Sequence, residues 1–143
     1  MELRKGYVIT NFGQIHYRYA GKGRPLLLLH PSPRSSRIFE KLMLHLAENY
    51  FVLAPDTLGF GYSDPLPTNV TMEILASSFL EFINNLSLEE VSIFGLHTGN
   101  KIGSALGLTN SKKIKKIILC GMSHSIILDN KKRNFHINEL VEK

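Results

Sequence analysis

The residues whose types and spacing best suit chemistry are Gly95-Leu96-His97-Thr98-Gly99, a Gly-x-Ser-x-Gly frame with histidine at the serine position. Such a frame bends a strand sharply into a helix and lifts its central residue to the tip of the turn. Val91-Ser92-Ile93-Phe94 reads as the buried strand before it, and Thr98 onward as the helix after it. An imidazole presented there can take a proton from water or polarise a carbonyl. Two other segments carry candidate groups: His30-Pro31-Ser32-Pro33-Arg34-Ser35-Ser36 and Asp56-Thr57-Leu58-Gly59-Phe60-Gly61-Tyr62-Ser63-Asp64.

Other chemistries lack their signatures. The histidines are too scattered for zinc-ligand spacing, and Asp56 and Asp64 read as turn caps around a glycine-rich loop. Gly95, Gly99, Gly103 and Gly107 recur every four residues, but no Walker lysine follows, and no Gly-x-Gly-x-x-Gly opens a helix. Their expected use is close approach of a helix to a sheet, since each glycine otherwise costs up to about 1 kcal/mol against alanine. The reading calls for no cofactor and no metal.

The elements that must hold these groups alternate strand and helix. Tyr7–Thr10 and Gln14–Tyr19 flank a tight turn, and the second alternates at period two, as a half-exposed antiparallel strand does. Pro25–His30 is a continuous apolar run, as in a strand buried on both faces, and Tyr50–Ala54 is another. Ser36 is placed to cap a helix through Phe39, Leu42, Met43 and Leu46. Thr71 is placed to cap a second, with a stripe at Met72, Leu75, Ala76, Phe79, Ile83 and Leu86. Strand 91–95, helix 98–109 and strand 114–120 follow. His16 and His45 read as surface or edge residues. The fold class is α/β: an antiparallel pair leading into a mostly parallel sheet with flanking helices.

At 143 residues, 43% apolar and 20% charged, the composition is that of one globular domain. Residues 1–110 carry nine charges of each sign, so the whole formal +5 falls in residues 111–143. Those lysines are not interleaved with aromatics as a nucleic-acid face would be, and no apolar run is long enough to span a membrane. The single cysteine, Cys120, lies in an apolar run and reads as a buried structural thiol. With no apolar leader at Met1–Lys5, a cytoplasmic location is expected.

The three segments, in this order and each after its own strand, resemble the α/β-hydrolase superfamily. The resemblance covers residues 7 to about 121, and a subset of that superfamily is similar in carrying His-Thr-Gly at the elbow. It implies that His30 braces the oxyanion loop, and that the backbone N–H groups of Ser32 and Thr98 form an oxyanion hole. Two fixed donors aimed at one point are what a developing carbonyl oxyanion needs. His97 stands at the nucleophile position, but its nitrogen reaches roughly 2 Å farther than a serine oxygen, which favours water activation over a covalent adduct. The superfamily's acid and histidine follow later strands. Past the elbow stand only His124, His136, Asp129, Glu139 and Glu142, none of which completes a triad.

The resemblance therefore implies one truncated domain over 1–143, with a core at 7–121 that lacks the last strands, and the start of a lid at 129–143. The expected function is hydrolysis of a small carbonyl or ester substrate with His97 in place of serine. The alternative is a non-catalytic ligand-binding or truncated protein of the same fold. The expected partner is a small-molecule substrate or ligand, with self-association through an exposed sixth strand.

Overall fold

The computed structural model describes residues 2–66, 68–109 and 112–121. His124, His136, Asp129, Glu139, Glu142 and the expected lid lie outside them. Strands β1 (Arg4–Thr10), β2 (Gly13–Ala20), β3 (Arg24–Leu29), β4 (Tyr50–Pro55), β5 (Val91–Leu96) and β6 (Ile114–Cys120) form one sheet in the order β1-β2-β4-β3-β5-β6. β1–β2 and β2–β4 pair antiparallel, whereas β3–β4, β3–β5 and β5–β6 pair parallel. The expected fold class is the observed one. Helix α1 (Glu40–Leu46) follows a 3₁₀ turn at Ser36–Phe39; α2 (Met72–Asn85) and α3 (Thr98–Thr109) complete the layers.

The leucine run of β3 shows why both faces are covered. Period-two alternation sends Leu27 and Leu29 into a core with Phe79, Phe82 and Ile83 of α2 and Ile102 and Leu106 of α3. Leu26 and Leu28 join Phe39 and Met43 on the opposite face. Each fully buried side chain of this size contributes about 1.5–3 kcal/mol, so the two layers hold the strand from both sides.

Helix starts follow from local hydrogen bonding. The Thr71 hydroxyl accepts from the Ile74 N–H at 3.3 Å, the expected cap of α2. The other expected cap moves by one residue: Ser35 Oγ accepts from the Arg37 N–H, while Ser36 is buried beneath Arg18. Along α3 the glycines meet the sheet as expected. A Cβ on Gly99 would overlap the Leu29 carbonyl, and one on Gly103 would lie 3.1 Å from the Ile93 side chain.

Two expectations are overturned. His16 is buried, with 1% exposure, not a surface residue, because both faces of β2 are covered. The polar face that alternation assigns to solvent carries His16 and Arg18, and it packs beneath the 3₁₀ turn and the loop after β4. Cys120 is exposed, not buried, because β6 is the edge strand among the described residues and only Ile114 of its residues is buried. No helix among the described residues is long and apolar enough to cross a membrane.

Candidate active site

The strand-to-helix bend consists of one residue. β5 ends at Leu96, α3 begins at Thr98, and His97 between them has φ of +51°, in the left-handed region. A non-glycine residue there costs roughly 1–2 kcal/mol, so surrounding contacts must hold it. The His97 N–H donates to the Cys120 carbonyl at 3.2 Å, and the His97 carbonyl accepts from the Asn100 N–H at 3.0 Å. Buried Asn100 adds a second anchor. Its Nδ2 donates to the Cys120 carbonyl at 2.8 Å, and its Oδ1 accepts from the Cys120 N–H at 3.2 Å. The Asn100 carboxamide thus continues the β5–β6 ladder one step past the point where β5 turns away. The His97 ring is exposed and leans toward Gly121, where a Cβ would lie 3.0 Å from Nε2.

The loop after β3 approaches the same bend. His30 is buried, and its two ring nitrogens have different partners. Nδ1 lies 3.0 Å from the Pro31 carbonyl, and Nε2 accepts from the Thr57 N–H at 2.9 Å. A backbone N–H can only donate, so Nε2 is unprotonated and Nδ1 carries the hydrogen. Burial lowers the His30 pKa; the Pro31 carbonyl and the Asp56 charge oppose that but do not cancel it. His30 therefore fixes the Pro31–Ser32 peptide from its carbonyl side. In a trans peptide the N–H points the opposite way. The Ser32 N–H donates to Thr98 Oγ1 at 3.3 Å, which brings the expected donor loop to the first residue of α3. The Thr98 N–H, at the first position of α3, has no acceptor within its own helix.

Asp56, at the end of β4, organises the floor. Its carboxylate accepts from the Ser36 N–H at 2.6 Å, from His16 Nδ1 at 2.8 Å and from the Tyr62 N–H at 3.0 Å. Burial pushes this carboxyl up, but hydrogen bonds from Ser36, Tyr62 and His16 outweigh burial and hold it below the usual range. Gly61 is required here. Its φ is +59°, and a Cβ would overlap the Asp56 carboxylate. Arg18 donates to Ser36 Oγ at 2.6 Å and to Glu40 at 2.9 Å, tying β2 to the start of α1. The turn-capping role expected for Asp56 is observed in its bond from the Tyr62 N–H; the Asp64 side chain instead accepts from the Gln14 N–H at 2.8 Å, tying the loop to β2.

Three strand ends thus present a bend-borne imidazole, a braced amide loop and a buried carboxylate at one edge of a parallel sheet. Residues 24–138 match the family described as alpha/beta hydrolase fold. The chain belongs to that family. It is 27% identical over 126 residues to the soluble epoxide hydrolase of Corynebacterium sp. (strain C12), covering 88% of this chain and 44% of that protein. It is 30% identical over 108 residues to haloalkane dehalogenase 2 of Mycobacterium tuberculosis, covering 75% and 38%. Among solved structures, the epoxide hydrolase CorEH without ligand superposes with a TM-score of 0.86 at 25% identity, over 96% of this chain and 50% of that one. The chain spans less than half the length of these curated relatives.

Within this α/β-hydrolase chain, the loop with His30 and Ser32 meets Thr98 at the start of α3, next to the bend at His97, with one difference from expectation. The Ser32 N–H is not open but engaged by the Thr98 hydroxyl. Sequence reasoning also missed Asn100 and the His16–Asp56 pair. Asn100 carried little signal, since Thr98, Lys101 and Ser104 of the same helix are polar too. His16 carried none, because alternation alone does not reveal what covers the second face of a strand.

Proposed function

We propose that this chain forms the elbow-bearing part of a hydrolase of small carbonyl or ester substrates, in which His97 activates water. The observation that supports the reading is a histidine at φ +51° on a one-residue bend, directly before Thr98, whose hydroxyl accepts from the Ser32 N–H. In the reaction, a His97 nitrogen takes a proton from water as the water oxygen attacks the carbonyl carbon. The carbonyl oxygen gains the charge and is held by the Ser32 and Thr98 N–H groups once the Thr98 hydroxyl rotates aside. Collapse of the adduct breaks the bond to the leaving oxygen, which takes the proton from the imidazolium. The products are an acid and an alcohol. The relatives' names, epoxide hydrolase and haloalkane dehalogenase, support a hydrolytic reaction of small molecules.

The test is saturable hydrolysis of p-nitrophenyl acetate by the full chain and by His97→Gln. Loss of a general base lowers kcat about 10²–10⁴-fold, with KM little changed. Undiminished turnover in His97→Gln, or an acyl group found on His97 by mass spectrometry, refutes water activation. A second reading, a ligand-binding protein without turnover, is favoured by the engaged Ser32 amide. It predicts saturable binding with no product over long incubation.

A further inference from the structure

We propose that the cleft between the loop after β3 and the loop after β4 binds a carboxylate or phosphate group through Arg34 and Arg37. The substrate class is then an ester with a second, negatively charged end. That last step rests on the carbonyl-hydrolase reading above; the anion site itself does not.

The cavity holds about 490 Å³ and is walled by Pro33, Arg34, Arg37, Ile38 and Phe60. It adjoins the reactive loop through one turn. The Arg34 N–H donates to the Pro31 carbonyl at 2.8 Å, the same carbonyl that His30 faces, so Arg34 stands two residues beyond the Ser32 amide. Arg37 is the second residue of the 3₁₀ turn that Ser35 caps. Both arginines are exposed, and among the described residues neither forms an ion pair.

Three carboxylates on the neighbouring elements already have partners. Glu40 pairs with Arg18, Asp56 accepts from Ser36, His16 and Tyr62, and Asp64 accepts from Gln14. Residues 1–110 carry equal numbers of both signs, so the two cations on this cleft do not belong to a generally basic surface. Like charges facing one cavity oppose each other, and an anion shared between them reverses that sign. Guanidinium groups suit this role, since their paired N–H donors match the oxygens of a carboxylate or phosphate. The Pro33, Ile38 and Phe60 side chains offer an apolar wall beside the anion, against which a short carbon chain can lie.

The test compares two succinate esters of one carbon skeleton, monoethyl succinate with one free carboxylate and diethyl succinate with none. Binding to the full chain is read by calorimetry at low salt. The monoester is expected to bind at least tenfold more weakly to the Arg34→Gln/Arg37→Gln variant than to the wild type. Diethyl succinate should bind the two proteins alike, and Lys22→Gln, an exposed change in the turn before β3 at the opposite end of that strand, should alter neither. If the double variant does not fold by circular dichroism, Arg34→Lys and Arg37→Lys keep the charge and should each weaken the monoester about threefold or more.

Inorganic phosphate displacing the monoester at lower concentration than succinate does assigns the site to phosphate esters; the reverse assigns carboxylates. Failure of the wild type to bind any of these anions overturns the proposal. So does equal monoester affinity in the wild type and the charge-removing variant, or equal weakening by Lys22→Gln. Because succinate and phosphate are not hydrolysed, their Arg-dependent binding with no ester hydrolysis refutes only the catalytic reading. His97-dependent hydrolysis of neutral esters without Arg-dependent binding refutes only the anion site.

Discussion

Replacing His30 with alanine tests whether one imidazole holds the two loops together. The ring accepts from the buried Thr57 N–H at 2.9 Å and faces the Pro31 carbonyl at 3.0 Å. Losing the acceptor strands a buried donor, at about 1–3 kcal/mol, and losing the second bond removes about 0.5–1.5 kcal/mol. Together they give a destabilisation of about 2–4 kcal/mol, to which the vacated ring volume adds. The assay is urea unfolding of the full chain followed by circular dichroism at pH 7.5, with the slope against denaturant checked for constancy.

The same ring supplies a pH signature. Burial lowers the folded-state pKa of His30 below its ordinary 6.5. Between the two values the unfolded chain binds a proton that the folded chain does not. Stability is then fully present above about pH 6.5 and declines as pH falls toward the folded value. The wild type should lose stability across that window, and His30→Ala should lose less. A change under about 1 kcal/mol at pH 7.5, or identical pH slopes in the two proteins, would refute the bracing argument.

Gly99→Ala should destabilise the chain by about 2 kcal/mol or more, despite alanine's better helix propensity, because the added methyl overlaps the Leu29 carbonyl; a rise in Tm would count against it. Asp56→Asn should cost about 2–4 kcal/mol in denaturant unfolding, since an amide cannot accept all three donors that the carboxylate satisfies. The Asp56 carboxyl lies below its ordinary 3.8, so its contribution is present above that pH and lost as pH falls through the folded value. The variant should therefore show a shallower acid loss than the wild type. Cys120 should react completely with a water-soluble disulfide reagent in the native protein; reaction only after denaturation would contradict its exposed position.

Much of the architecture was legible because burial leaves periodic marks. The Leu26–Leu29 run reads as a strand covered on both faces, and the four-residue glycine spacing of α3 reads as close packing on the sheet. The bend at His97 was legible for a related reason: its flanking glycines stand where Cβ atoms would meet backbone. What escaped depends on neighbours far along the chain. His16 is covered by residues about forty positions later, and no local pattern encodes that. The Cys120 run looks like a buried strand, yet an edge position leaves it open. Within the site, the types and order of His30, Ser32, His97 and Thr98 were readable. The engagement of the Ser32 amide by a threonine hydroxyl was not, since it depends on a rotamer.

The carboxamide of Asn100 has a consequence for the outermost strand. It grips both the N–H and the C=O of a single residue, Cys120. In a parallel strand those two groups point to one side, and the next residue's point to the other. Sliding β6 by a single position would offer Asn100 a peptide facing away, and both bonds would be forfeited at once. A strand with little burial of its own is thereby pinned in one alignment by a side chain rather than by hydrophobic patterning.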